Sequence, residues 1–278
     1  MAITAAQVKV LREKTGAGMM DCKKALTETG GDEEKAIAFL REKGLSKAAK
    51  KAGRATSEGL VGSFVAADGK SAAMAELMCE TDFVAKNEEF QQFAADLAMN
   101  VAGLEQVAGT AADLPAEIAD VTNLIAKLGE NMGVGRFAKA TVDSGCIGLY
   151  IHTNGKIGVL VALEGSDNEA AAKDVAMQVA AVNPLCISSD ELPQDLLEKE
   201  KEIYRNQALE EGKPAEIADK IVLGRVSKYY KEVCLLEQPF IKDDKKSIKQ
   251  YLKDAAPGAT IKSFVRLALG EGGEASAK

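Results

Sequence analysis

The chain has 278 residues, which at roughly 150 residues per domain predicts about two domains. Apolar residues make up 46% and charged residues 28%, a composition that supports sizeable cores beneath a soluble surface. A net charge of −7, one histidine, no tryptophan and no apolar run near the ~20 residues of a membrane helix argue against a uniformly basic nucleic-acid binder, most histidine-based catalytic sites and a membrane span. Five cysteines, Cys22, Cys79, Cys146, Cys186 and Cys234, are an odd number with no CxxC pair. They predict reduced thiols rather than a disulfide framework or a zinc site. The N-terminal residues lack a charged-then-apolar segment, so the expected location is the cytoplasm.

Charge is divided along the chain. Residues 1–54 hold 12 Lys/Arg against 7 Asp/Glu, a net +5 that leaves −12 for the remainder. A basic head on an acidic body predicts separate modules. In the head, Thr4 caps a helix carrying Val8 and Leu11, which stops at Thr15-Gly16-Ala17-Gly18. A second helix from Met19 sets Met19, Cys22 and Leu26 on one inward face and ends at Gly30-Gly31. Asp32 caps a third, with Ala36, Ile37 and Leu40 inward and Gly44 beyond its end. So small a bundle has a marginal core, and its expected task is to present a surface. Lys47, Lys50, Lys51 and Arg54 follow on a linker or short helix, either as a solvated connector or as an RNA or ribosome contact; no aromatic stacking partner accompanies them.

Comparing the body with itself exposes a repeat. Gly59-Leu60-Val61-Gly62 resembles Gly145-Cys146-Ile147-Gly148, and Asp68-Gly69-Lys70 matches Asn154-Gly155-Lys156, both at an offset of 86. Asp-Gly and Asn-Gly between alternating apolar residues predict two β-hairpins. Farther on, Asp96-Leu97-Ala98-Met99 matches Asp174-Val175-Ala176-Met177 at an offset of 78. Each copy therefore holds a hairpin, a connector and an amphipathic helix. Phe90, Phe93, Leu97, Val101 and Leu104 line the first helix, and Ala172, Val175, Val179 and Val182 the second. The two offsets differ by eight, so the first copy has eight more residues between strand and helix, where the chain reads Cys79-Glu80-Thr81-Asp82-Phe83-Val84-Ala85-Lys86-Asn87-Glu88. An aromatic residue in such a connector either tucks into its own core, the commoner fate, or serves as a contact device.

The second copy has an insertion over about 195–231, with Leu196, Leu197, Ile203, Tyr204, Ile217 and Ile221 at helical spacing around Gly212-Lys213-Pro214. It predicts an antiparallel helical hairpin, either a solvated projection or an arm for a partner or a second copy. A helix near Ser247–Asp254 and a strand near Ile261–Leu269 close the fold, and the tail from Gly270 to Lys278 is expected to be disordered. The fold class is thus α+β: a three-helix head over 1–54, a first α+β subdomain over 55–140, and a second over 141–278 carrying the arm.

Chemistry is sparse. His152, the sole imidazole, falls just before the Asn-Gly turn and opposite the apolar face of Ile147, Leu149 and Ile151, a poor place for a tuned base. The acidic runs Asp32-Glu33-Glu34 and Glu210-Glu211 fit helix N-termini and solvated faces. Gly133-Val134-Gly135-Arg136 is a lone GxG. No metal or cofactor is expected, and the chain is predicted to act by touching another protein.

Two long motifs then resemble a known family. Leu11-Arg12-Glu13-Lys14-Thr15-Gly16-Ala17-Gly18-Met19-Met20-Asp21-Cys22-Lys23-Lys24-Ala25-Leu26 is similar to the N-terminal signature of the bacterial translation elongation factor Ts family, and Glu76 to Asn87 resembles its second signature. Leu128-Gly129-Glu130-Asn131 resembles a third. Met78 departs from the family's frequent Asn, and Leu128 from its commoner Ile. The resemblance implies a guanine-nucleotide exchange factor for the GTPase elongation factor Tu, not an enzyme, with no membrane and no direct nucleic-acid partner. It implies a ubiquitin-associated-like head that docks on the nucleotide domain of the GTPase, and a loop whose Phe83 wedges between helices there. Lys23, Thr81, Asp82, Phe83, Val84, Leu128, Gly129 and His152 are the implied contact residues. Other readings of the residues are an adaptor that docks on the ribosome through the basic head, and a thiol enzyme using Cys79 or Cys22.

Overall fold

The computed structural model describes residues 3–271. Most of the expected tail, 272–278, lies outside them. Three helices open the chain: α1 (Ala5–Thr15), α2 (Met19–Glu28) and α3 (Glu33–Ala49). Thr4 caps α1 in a capping box with Gln7, and Asp32 caps α3 by accepting from the Lys35 N–H at 3.1 Å. Val8, Leu11, Cys22, Ala25, Leu26 and Ala36 form their core.

Three expectations for the head are corrected. Met19 is 60% exposed rather than inward, standing at the groove between the head and α5 (Glu88–Ala102). Ile37 is partly exposed at the cleft beside α7 (Thr122–Leu128). Gly44 does not end the third helix, which runs on to Ala49. Packing of α3 against α7 offsets the ~1 kcal/mol helix penalty of glycine. A Cβ at Gly44 would already touch Ala126 and Thr122.

The body is α+β. β1 (Glu58–Val65) and β2 (Ser71–Cys79) form the first hairpin; then come a single helical turn α4 (Asp82–Ala85), α5 (Glu88–Ala102), β3 (Ala108–Gly109), α6 (Ala116–Ala119), α7 and β4 (Met132–Thr141). β5 (Gly145–Ile151) and β6 (Ile157–Glu164) form the second hairpin, followed by α8 (Glu169–Val182), the arm helices α9 (Gln194–Glu210) and α10 (Ala215–Val233), β7 (Pro239–Phe240), β8 (Asp243–Ser247), α11 (Ile248–Ala255) and β9 (Thr260–Ala268). The main sheets are antiparallel, in the orders β1-β2-β4-β3 and β5-β6-β9. Each repeat is thus a β-β-α-β unit. β4, hidden in sequence as the lone GxG, is the counterpart of β9.

Equivalent glycines mark the two repeats. A Cβ at Gly62 would sit 2.0 Å from the Ala94 carbonyl oxygen of α5, and one at Gly148 would sit 2.3 Å from that of Ala172 on α8. Only a bare backbone lets each helix lie this close to its hairpin. The sheets face one another, with Val61, Met74, Ile147, Leu160, Val265 and Leu267 in the shared core. On the outer faces, α5 buries Phe90, Leu97 and Val101 against the first sheet, and α8 buries Ala172, Val175 and Val179 against the second. β2 is therefore covered on both faces. Val182 does not join its expected row: it ends α8 and is 40% exposed. The buried Glu76 carboxylate takes the Arg136 guanidinium, whose Nη2 also reaches the Ala268 carbonyl oxygen at 2.6 Å and ties β4 to β9.

The arm is held at its base by Leu197, Val222, Val226 and Tyr229. Ile203 and Ile217, expected in its seam, are exposed. Ala208 and Ala218 fill the seam instead. Glu211 ends α9 rather than opening a helix and lies 3.5 Å from Arg225. Among the described residues no helix is long and apolar enough to cross a membrane, and no cluster of His, Cys, Asp and Glu could hold a metal ion.

Candidate partner-docking site

The connector between β2 and α5 is built around two N-caps. Thr81 Oγ1 accepts from the Val84 N–H at 3.4 Å and opens α4, while Asn87 Oδ1 accepts from the Glu89 and Phe90 N–H groups and opens α5. Between them, Val84 and Ala85 pack on the core beneath α5, with Phe90 fully buried beyond. Successive helical residues are turned by about 100°, so seating Val84 and Ala85 inward leaves Phe83 outward. Phe83 is 81% exposed, the highest value among the large apolar side chains of the described residues. The excess connector is therefore a capped helical turn rather than an open loop, and the residue-level expectation of a tucked phenylalanine is overturned. Thr81 and Val84, expected to touch a partner, are half-buried: the Thr81 hydroxyl donates to Glu130, and Val84 packs partly on the core. Asp82 is exposed and ion-paired with Lys86 at 2.6 Å. That hydrogen bond, helped by the charge of Lys156, holds its carboxyl below the ordinary range.

The other expected residues lie on α2, at the end of α7 and on the β5–β6 turn. α7 ends on Gly129, a left-handed C-cap with φ 83° whose N–H donates to the Ile125 carbonyl. Leu128 is half-buried and lines a groove with Asn87, Glu88 and Glu89 from one side and Gly16, Ala17, Gly18 and Met19 of the head from the other. This groove joins the first and second signatures. Met19 and Lys23 stand one turn apart on the same stripe of α2, both exposed. Met20 beside them is 75% exposed. His152 is the first residue of the β5–β6 turn, exposed, with Nδ1 3.1 Å from the Tyr150 hydroxyl. That turn rests on β1 through the Val61 N–H to the Gly155 carbonyl, and Lys156 reaches Glu58, the strand partner of Cys79, at 2.7 Å.

Three of the basic residues at the end of the head are engaged within the chain. Lys47 pairs with Asp21 at 2.9 Å, the Lys51 ammonium donates to the Gly129 carbonyl oxygen, and Arg54 pairs with Glu80 at 3.3 Å. Lys43 and Lys47 together hold the Asp21 carboxyl below its usual range. This pairing weakens the case for an RNA-binding patch. The thiol-enzyme reading also loses support. Cys22 and Cys79 are fully buried, and burial, with the charge of Glu130 adding to it, pushes the Cys79 thiol up to about 11.

Sequence reasoning did not single out Met20, Glu80 or Glu130. Met20 was readable from the Met-Met pair that opens a short helix. Glu80 and Glu130 emerge only when the turn after β2 meets the turn after α7.

The family model described as Elongation factor TS matches residues 80–271, a span that begins in the connector after β2. The chain is 54% identical to an Elongation factor Ts of Nitratidesulfovibrio vulgaris, with 98% of this chain and 97% of that protein covered. It is 53% identical to one of Clostridium botulinum and 54% identical to one of Clostridium perfringens, each with 97% of this chain and 94% of the relative covered. Identity of this extent along almost the whole chain, with parts of both signatures lining one groove, assigns this protein to the elongation factor Ts family of translation elongation factors.

Proposed function

We propose that the protein is a guanine-nucleotide exchange factor that accelerates GDP release from the translational GTPase elongation factor Tu. The observation that carries this reading is Phe83, a large apolar ring held in water on a turn locked at both ends. Together with the exposed Met19 and Met20 of the head, it supplies apolar area for a contact surface. In this reading the head of residues 1–54 docks on the nucleotide domain through Met19, Met20 and Lys23. The first body unit, 55–140, presents Asp82, Phe83, Leu128 and Gly129, and the second, 141–278, adds His152. Thr81 and Val84 act from beneath by shaping the turn.

A GTPase of this class grips GDP through its phosphate loop and a Mg²⁺ ion. Phe83 enters a pocket that opens only when that site is displaced, so its burial is realised in the state with weakened nucleotide. Asp82 places a carboxylate near the disturbed ion site. Coupling of two ligands is reciprocal: what loosens GDP is itself loosened by nucleotide, so incoming GTP expels the factor. No covalent bond changes, and this chain contributes no cofactor. The arm, with Ile203, Ile217 and Leu223 exposed, provides the self-association part of the reading.

The test is stopped-flow release of a fluorescent GDP from elongation factor Tu. Strong acceleration by catalytic amounts of this chain is expected. Unchanged release with retained binding identifies a passive adaptor instead.

A further inference from the structure

The turn that carries Phe83 is held from behind by one carboxylate. Glu130 Oε2 accepts from the backbone N–H groups of Glu80 at 3.2 Å and Thr81 at 3.0 Å, and Oε1 accepts from the Thr81 hydroxyl at 2.6 Å. Glu80 returns the contact by accepting from the Asn131 N–H at 2.6 Å. The Asn131 side chain then donates to the Arg54 carbonyl oxygen at 2.7 Å, and Arg54 reaches back to Glu80. Two segments fifty residues apart thus grip each other reciprocally, and the end of the head is tied into the same knot.

α4 has four residues, too few to persist as a helix without tertiary support. Its cap, Thr81, is aimed by Glu130: the hydroxyl that accepts from Val84 donates to the carboxylate. Loss of that carboxylate removes the acceptor of three donors at the turn's entry. Charged acceptors contribute the stronger hydrogen bonds.

We propose that Glu130 is a positioning residue for nucleotide exchange: it does not meet the partner, and it keeps Phe83 directed outward by fixing the Glu80–Thr81 entry to α4. The proposal rests on the reading of Phe83 as the wedge.

The experiment is a double-mutant cycle of the full chain with Phe83→Ala, Glu130→Ala and both together. Exchange is measured over a range of elongation factor Tu–GDP concentrations, so that the saturating rate and the half-saturating concentration separate. Glu130→Ala is expected to lower the saturating rate about tenfold, the scale of a lost charged hydrogen bond. The half-saturating concentration should hold, since the head is untouched, and the loss should vanish in the Phe83→Ala background. Glu130→Gln, whose amide oxygen accepts both N–H groups while its NH₂ donates to Thr81, should keep most of the rate.

A local readout accompanies the cycle. The chain has no tryptophan, so Phe83→Trp supplies a unique fluorophore. Its anisotropy should fall on adding Glu130→Ala while the far-UV circular dichroism of the whole protein is unchanged. Additive losses in the double variant overturn the proposal, as does a parental rate for Glu130→Ala when Phe83→Ala is slow. A parental rate for Phe83→Ala overturns the wedge reading itself. Should Glu130→Ala not fold, Thr81→Val, which removes the hydroxyl that Glu130 accepts, is carried through the same measurements with the same expectations.

Discussion

Replacing Phe83 with alanine separates folding from function more cleanly than any other change in this chain. The ring is 81% exposed, so truncation removes almost no contact from the folded protein, and its stability should stay within about 0.5 kcal/mol of the parent. Phe90, seven residues on, is fully buried beneath the first sheet; the same truncation there leaves a cavity and should cost about 3–5 kcal/mol. The functional effect runs the other way. Fully burying a phenylalanine side chain is worth about 1.5–3 kcal/mol, so a wedge that buries most of its exposed ring contributes about 2 kcal/mol. If that burial exists only in the nucleotide-loosened complex, Phe83→Ala slows factor-dependent GDP release about 30-fold, at 1.4 kcal/mol per tenfold. Stopped-flow release of fluorescent GDP, paired with thermal unfolding of both alanine variants, measures the two effects together. A Phe83→Ala protein that unfolds like the parent and exchanges as fast refutes the reasoning.

The remaining predictions concern charge, thiols and the arm. Lys43 and Lys47 lower the folded pKa of Asp21 relative to the ~3.9 of an unfolded chain, so its contribution to stability is present above about pH 4 and is lost as pH falls through the lower folded value. Urea unfolding should therefore find Asp21→Asn weaker than the parent at neutral pH, with a gap that narrows as pH falls below about 4; a gap unchanged between neutral and acid pH removes this pair from the account. All five thiols are buried, and burial pushes Cys79 up to about 11 and Cys234 up to about 12. An aromatic disulfide reagent should titrate them slowly in the native protein and label all five after denaturation, whereas one fast native thiol would reopen the nucleophile reading. Leu223, 71% exposed on α10, is the most prominent apolar residue of the arm, and Leu223→Glu should weaken any self-association seen by sedimentation equilibrium while leaving exchange rates unchanged.

Local signals carried far along this chain. Thr4 and Asp32 act as the caps their positions suggested, and the Asp-Gly and Asn-Gly dipeptides turn the two hairpins. The spacing of Phe90, Leu97 and Val101 places α5 on its sheet. These features depend on neighbours a few residues away, where period and turn chemistry leave few alternatives. The offsets 86 and 78 also pointed to the connector that holds Phe83, without saying which way the ring faces. That was decided by packing: Val84 and Ala85 claim the core, and Phe83 is left in water. Contacts between distant segments were likewise beyond reach of any periodicity. β4 reads as a glycine-broken run because Gly135 lies against the Glu76 side chain, and Gly44 reads as a helix end because its neighbour α7 is 78 residues away. The grip of Glu130 on Thr81 belongs to the same class, since a carboxylate finds its donors through the fold and not through its place in the chain.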